Sequence, residues 1–477
     1  MLAFVGLASS FTVNSVSSFS TISSSKLGMA MSASSSTTPK PKLSIPPAIC
    51  SDVPGTWAYD TMSRRVNEEI LQRTYEDNAE QFESKEFEGI KRKFNALRDE
   101  LKKSSKLTML DELSKDAAST PERIREYKEW ETLLEPFISK GDTWLSAPWM
   151  VTEFYVYRKL IQATGYWDKD NTVGYQWDPF YKQKHAGLVS SVGSAEPMLG
   201  KVLSLGDGKS DSYNHDAIAV VANIALWGNK MDLSLWPADA SNSNVDIFTS
   251  ILASASENLL HDDSSQLEDL CEKLRNKGGG NVDIIVDNAG FELITDLALG
   301  QYLIQSGIAK VVTYQLKSHP TFVSDALEKD LLEHIKYYAT EISESDYPNA
   351  VQAGKLWQSF IDNGQWVCNE NNFWCQPYPM WEMTEPLRSD MKSRCDLAFV
   401  KGDANYRRLL GDCEWDFTAS FQDVVGNYFP CPVCALRTLK AEIGCGMDPE
   451  QIERAKKLDD QWMVNGRFGV IHFGTGA

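Results

Sequence analysis

The chain is predicted to be an α/β protein: a mainly parallel sheet covered by helices in a three-layer, Rossmann-like arrangement, preceded by an all-helical domain. Three observations predict this. Val282-Asp-Ile-Ile-Val286 is a short, mostly β-branched run, the pattern of a strand buried on both faces. A helical stretch and then a second such run, Val311 to Leu316, follow it, and strand–helix–strand alternation calls for parallel pairing. From about Asp60 to Ile161, by contrast, the periodicity is helical and no strand pattern is visible.

The elements follow in order. Met1 to Ile49 is rich in Ser, Thr and Ala, has no acid before Asp52, and is charged only at Lys26, Lys40 and Lys42. Such a segment cannot bury enough apolar surface to offset its chain entropy, so disorder is expected. It resembles an organelle transit peptide, most closely a plastid one. The alternative is a disordered tail on a cytoplasmic protein whose start is Met29 or Met31. An all-helical domain is expected over residues 50–205. Phe87, Ile90, Phe94, Leu97 and Leu101 recur at helical spacing, and Thr120-Pro121-Glu122 reads as a cap, a first-turn Pro and a first-turn acid. A further helix is expected from Trp149 to Gln162.

Residues 206–477 read as the α/β domain. Helices are expected over Ala217–Leu226, over Leu293–Ile304 with Gly307 stopping it, and over Val323–Tyr338. Leu397–Val400 and Phe468–Phe473 are further short strands.

Composition excludes several classes of function. Acids outnumber bases 66 to 47, a net charge of −19, and no basic stripe compensates, so a general nucleic-acid binder is excluded. Apolar runs fall short of the roughly 18 residues of a transmembrane helix, so no membrane partner is expected. Nine scattered cysteines, an odd number, suit reduced thiols better than a disulfide framework.

In a parallel sheet, chemistry sits beyond the carboxyl ends of the strands. After Val286 come Asp287, Asn288, Gly290, Glu292 and Asp296; after Leu316 come Lys317, His319 and Asp325; after Val400 come Lys401, Asp403, Asn405 and Arg407. Asp-Asn at a strand end offers hard oxygen ligands for Mg²⁺ or Mn²⁺. Gly290 permits a tight turn into a helix whose N–H groups could face an anion. Lys401 and Arg407 supply positive charge. Cations beside acids in an acidic protein point to a metal–phosphate site. Taken singly, each is equally an ordinary turn, cap or loop.

Together, Asp287-Asn-Ala-Gly-Phe-Glu-Leu-Ile-Thr-Asp296, Lys317-Ser-His-Pro-Thr-Phe-Val-Ser-Asp325, the run Lys401 to Asp412 and Leu436-Arg-Thr-Leu-Lys440 resemble the damage-control phosphatase family. The Arg-Thr-x-Lys element resembles its subfamily III, which includes the acidic residue methyltransferase-like proteins and sugar-phosphate phosphatases. Trp227 to Ser234, Pro148-Trp149, Tyr155-Val-Tyr-Arg158 and Phe373-Trp374 resemble further blocks in the same order. The resemblance implies a metal-dependent phosphatase of small phosphometabolites such as fructose 1-phosphate and fructose 6-phosphate. The implied cofactor is Mn²⁺ or Ni²⁺, with Mg²⁺ or Co²⁺ as alternatives; a monomer or small homo-oligomer is expected.

The resemblance implies Asp287, Asn288 and Asp325 as metal ligands, and Asp287, Glu292 and Asp325 as catalytic residues. It implies substrate contacts from Glu292, Lys401, Gly402, Asp403, Ala404, Asn405, Arg437 and Lys440. Asn229, Asp232, His319 and Arg407 complete the candidate set. Ala404 and Cys413 depart from the residues the family pattern leads one to expect. Hydrolysis through a metal-activated water is the favoured chemistry, with Asp287 as a direct nucleophile the alternative. The helical segment is expected to pack over the sheet end and form one wall of the pocket, with Trp149, Tyr155 and Arg158 on it.

Rival functions are an S-adenosylmethionine-dependent protein-glutamate carboxyl methyltransferase and a non-catalytic metal-binding protein. Methyl transfer would need a nucleoside pocket, and no Gly-rich loop follows a first strand. Gly206-Asp-Gly208-Lys209-Ser210 fails the phosphate-loop pattern because Leu203 stands where Gly is required. Cys431-Pro-Val-Cys434 has no second ligand pair near it, so burial is expected rather than zinc.

Overall fold

The computed structural model describes residues 39–206, 216–231 and 257–477. Most of the Ser-rich leader, the Gly208–Ser210 stretch, Asp232 and the side chain of Asn229 lie outside the described residues.

A seven-stranded sheet forms the middle layer. Its strands are β1 (Leu259–Asp262), β2 (Gly280–Ile285), β3 (Ala309–Lys317), β4 (Trp366–Asn371), β5 (Leu397–Lys401), β6 (Val433–Thr438) and β7 (Gly469–Gly474). Their order is β1-β7-β6-β5-β2-β3-β4, and every pairing is parallel except β6 with β7. The α/β expectation therefore holds.

Alternation along each central strand feeds two separate cores. Val282 and Ile284 of β2, Leu397 and Phe399 of β5, and Cys434 and Leu436 of β6 point into one. Helices α5 (Tyr181–Gly206), α6 (Ala217–Met231), α8 (Phe291–Gln305) and α10 (Pro348–Asp362) cover this face, with α8 packed on α5 and α6. Ile285, Ala398, Val400, Val433 and Ala435 point the other way. The core they enter is continuous with the N-terminal helices: α1 (residues 57–77, π-helical over Thr61–Leu71), α2 (Glu88–Lys102), α3 (Pro121–Lys140) and α4 (Trp149–Thr164). The remaining labelled helices are α7 (Ser264–Asn276), α9 (Glu328–Lys336), α11 (Leu387–Arg394), α12 (Asp403–Leu409) and α13 (Pro449–Leu458).

Local signals explain the element ends. Pro121 opens α3 in its first turn, and Gly141 and Gly165, at φ +81° and +75°, close α3 and α4 in the left-handed region that a Cβ disfavours. Three strands were not anticipated. β1 has four residues and includes His261, β4 is an edge strand with half-exposed Asn and Glu, and β6 carries Arg437. The helix expected over Val323–Tyr338 begins only at Glu328, because Phe322 and Val323 stand at φ +48° and +66°, outside any right-handed helix.

One buried residue ties α9 to the start of α8. His334 Nδ1 donates to the Asp330 carbonyl (2.7 Å), and its Nε2 accepts from the Gly290 N–H (2.9 Å), so the ring is held neutral in one tautomer. Burial drives its pKa down to about 4. A folded-state pKa below the unfolded value means the unfolded chain binds the extra proton. The stabilisation is therefore complete above about pH 6.5 and is lost as pH falls towards 4. We expect this to amount to up to about 3 kcal/mol. Unfolding free energies of wild type and His334→Gln between pH 4 and 7 should converge at the acid end by roughly that amount. Parallel curves would show that His334 takes no part.

Candidate active site

The carboxyl ends of four neighbouring parallel strands, β6, β5, β2 and β3, meet at one place. Beyond β2 stand Asp287 and Asn288, and β3 ends in Lys317. The chain after Lys317 returns alongside the β2 end: Ala289 N donates to the Ser324 carbonyl (2.7 Å), Ala326 N to the Asp287 carbonyl (2.9 Å) and Lys317 N to the Ala326 carbonyl (3.2 Å). These bonds bring Asp325 beside Asn288 in a short antiparallel bridge. The left-handed pair Phe322–Val323 makes the reversal. The Phe322 ring is held by Phe154 (4.6 Å between centroids) and Tyr157 (4.9 Å), both on α4.

Asp287, Glu292 and Asp325 are all buried. Burial, then the neighbouring charges of Asp325 and Glu292, hold the Asp287 carboxyl well above the usual carboxylate range. Burial also raises Asp325, against the Lys317 ammonium 3.0 Å from its Oδ2. Asn288 Nδ2 donates to Asp287 Oδ2 (3.0 Å) and to Glu292 Oε2 (2.8 Å), and Ser324 Oγ donates to Asn288 Oδ1. Asp287 Oδ1 is buried with no hydrogen-bond donor among the described residues.

A cavity of about 440 Å³ opens onto this cluster. Asp287, Asn288, Asp325, Asp403, Ala404 and Lys440 line its sheet side, and Trp57, Arg65, Trp149, Glu153 and Tyr157 line its helical side. Residues of the N-terminal helices thus form one wall of the cavity. A second cavity of about 300 Å³ adjoins it, sharing Asn288 and Val323 and lined also by Glu292 and Arg73.

The candidates divide accordingly. Lys440 reaches the main cavity, and no hydrogen bond or ion pair holds its ammonium among the described residues. Lys401 and Arg437, expected to meet substrate, are committed inside the protein. Lys401 Nζ donates to the Ala225 carbonyl (2.6 Å), pairs with Asp296 (2.7 Å) and lies 3.7 Å from Glu292. Burial pushes Asp296 up to about 7 against that lysine. Arg437 is fully buried; its Nε donates to Asp403 Oδ1 (2.7 Å) and its terminal nitrogens to the Ile443 and Ala441 carbonyls. It positions Asp403, which also accepts from the Lys440 backbone N–H (3.2 Å). Asn405 Nδ2 ties the Val286 and Lys401 carbonyls together at the strand ends.

Arg407 lines the cavity under Trp149, 3.6 Å from the ring centroid, fixed by Asp412 on one side and Glu153 (2.7 Å) on the other. His319 is elsewhere, edge-on to Trp167 at 5.3 Å. Tyr155 and Arg158 also turn away, to the Thr108 carbonyl and to Glu126. Trp149 does face the cavity, and the other cavity-facing residues of α4 are Glu153 and Tyr157, each one turn further on. That spacing was present in the sequence; what identified the face was not.

A family model for the damage-control phosphatase ARMT1-like domain matches residues 61–455. The chain belongs to the damage-control phosphatase ARMT1-like family. The mouse damage-control phosphatase ARMT1 is 30% identical over 442 residues, covering 88% of this chain and 96% of the mouse protein. The human protein of that name is 29% identical across 90% of this chain and 98% of its own length, and the zebrafish one 32% identical across 70% and 75%. A solved DUF89 family protein from Pyrococcus horikoshii covers 81% of this chain and 97% of its own, at 14% identity and a TM-score of 0.38. Membership of the damage-control phosphatase family makes a phosphatase the general reading of the site.

One glycine is required by this geometry. Gly402, at φ +83°, stands where an added Cβ would overlap the Asp287 carboxylate. We expect Gly402→Ala to lower turnover by at least about a hundredfold by displacing Asp287, with a folded far-UV spectrum retained. Normal kinetics in that variant would show that the carboxylate's position is not critical.

Proposed function

We propose that this protein is a divalent-metal-dependent phosphatase acting on small phosphorylated metabolites, with fructose 1-phosphate and fructose 6-phosphate as representative substrates. The observation that carries the reading is Asp287 Oδ1, buried beside Asp325 without a donor among the described residues, in a cavity also lined by Lys440, whose ammonium has no partner among those residues. Two carboxylates and an amide form a hard-oxygen donor set that suits Mn²⁺, Mg²⁺, Ni²⁺ or Co²⁺. Among the described residues no cluster of three His, Cys, Asp or Glu side chains offers a competing metal site, and here an Asn completes the set. Asp287, Asn288 and Asp325 would hold the cation. When bound, it supplies Lewis-acid polarisation of a phosphoryl oxygen and lowers the pKa of a water.

The chain's own residues do the rest. Glu292 accepts from Asn288 and, with Asp287, fixes that amide's orientation. Lys317 balances Asp325 at the base of the site. Lys440 attracts the phosphate and stabilises the charge that grows on it during transfer. Asp403, anchored by Arg437, holds the Lys440 backbone in register. The helical wall keeps bulk water and large phosphoproteins out.

Two variants test this. Asp287→Ala removes a ligand, and with it the carboxyl whose pKa burial and the neighbouring carboxylates raise, while leaving the Lys317–Asp325 pair in place. It should abolish hydrolysis and Mn²⁺ binding by calorimetry without lowering the melting temperature of the metal-free protein. Retained Mn²⁺ binding would sink the ligand assignment. Lys440→Met should reduce kcat/KM for fructose 1-phosphate on the order of a hundredfold, as loss of a charged transition-state contact does. An unchanged kcat/KM with reduced thermal stability would make the lysine structural.

A further inference from the structure

The helical wall carries two polar atoms for which no partner is found among the described residues. Glu153 and Tyr157 lie one turn apart on one face of α4 and both line the main cavity. Their residues are 7% and 2% exposed, so each is more than nine-tenths buried. Glu153 Oε2 accepts from Arg407 (2.7 Å); among the described residues no donor meets its Oε1. The Tyr157 ring is fixed by Phe180 (6.0 Å between centroids) and Phe322 (4.9 Å), yet its hydroxyl has no hydrogen-bond partner among the described residues. A hydroxyl and a carboxylate oxygen held fixed on a cavity wall, with no partner among the described residues, are a preformed place for ligand atoms.

We propose that α4 recognises the alcohol half of the phosphoester, with Tyr157 donating to and Glu153 accepting from hydroxyl groups of a polyhydroxylated leaving group. The inference rests on the phosphatase reading above and adds the residues that would select the substrate class. A sugar alcohol presents neighbouring O–H groups, each a donor and an acceptor, and satisfies both side chains at once. An apolar alcohol leaves both unpaired, and sites built to hydrogen-bond a hydroxyl discriminate strongly against ligands that lack it. Arg407 holds Glu153 from behind, and Asp412 holds Arg407 through two hydrogen bonds, so the acceptor is rigid before substrate arrives.

The test compares two substrates of the Mn²⁺-loaded, full-length protein: fructose 1-phosphate, and phenyl phosphate, whose leaving group has no further hydroxyl. Tyr157→Phe keeps the ring contacts and removes only the hydroxyl, and its melting temperature serves as the control for folding. The expected result is a fall of about tenfold in kcat/KM on fructose 1-phosphate, expressed in KM, with phenyl phosphate changed by less than about twofold. Glu153→Gln should shift the two substrates in the same unequal way. Binding of fructose 6-phosphate to the metal-free protein, followed by calorimetry, should weaken in Tyr157→Phe by a similar factor. Equal losses on both substrates, or no loss on either, would overturn the assignment of α4 to the leaving group. A wild-type protein that hydrolyses neither ester would instead defeat the phosphatase reading itself.

Discussion

Two carboxylates kept buried at adjoining strand ends are the constraint around which this protein is organised. Asp287 and Asp325 repel each other, and both would be far cheaper in water. The fold keeps them in place with a small set of compensations. Lys317 balances Asp325 from the strand beside it, and Asn288 donates to one oxygen of Asp287. Lys440 adds positive potential from the loop beyond β6 and draws the Asp287 pKa down. One oxygen of Asp287 remains without a donor among the described residues, and under the metal-dependent reading proposed above that deficit is what a cation would fill. Local instability of this kind is common where function needs it.

Charge placement around the centre follows a division of labour. Arg437, Lys401 and Arg407 carry full positive charges in or beside the motifs, yet each is consumed by acids or carbonyls of the protein. Their contribution is mechanical: they fix Asp403, brace Glu292 and Asp296, and hold Glu153. Among the described residues of these motifs, the cation left for an incoming anion is Lys440. In a chain of net charge −19, a phosphate is attracted only by such a local exception.

The central strands and the residues at their ends were legible in the sequence for the same reason. β2, β3 and β5 are largely buried and carry mostly apolar, β-branched runs, so their ends were visible, with Lys317 closing β3 and Asp287 and Asn288 just beyond β2. β6 was hidden by its buried Arg437, and β4 by its half-exposed polar positions. Substrate-facing roles were harder to read. A lysine next to a strand end looks the same in sequence whether it meets ligand or an internal Asp, and Lys401 meets Asp296. Glu153 and Tyr157 were missed because α4 is buried on nearly all sides, so its apolar pattern does not mark the face towards the sheet.

The left-handed pair Phe322–Val323 has a consequence for how the molecule is built. Two successive non-glycine residues in that region, one of them β-branched, cost of order 1–3 kcal/mol each and persist only when their surroundings enforce them. The enforcing contacts come from Phe154 and Tyr157, more than a hundred residues earlier in the chain. During synthesis the N-terminal helices leave the ribosome first. The residues that mould the turn bringing Asp325 to Asp287 are therefore synthesised well before the segment they shape.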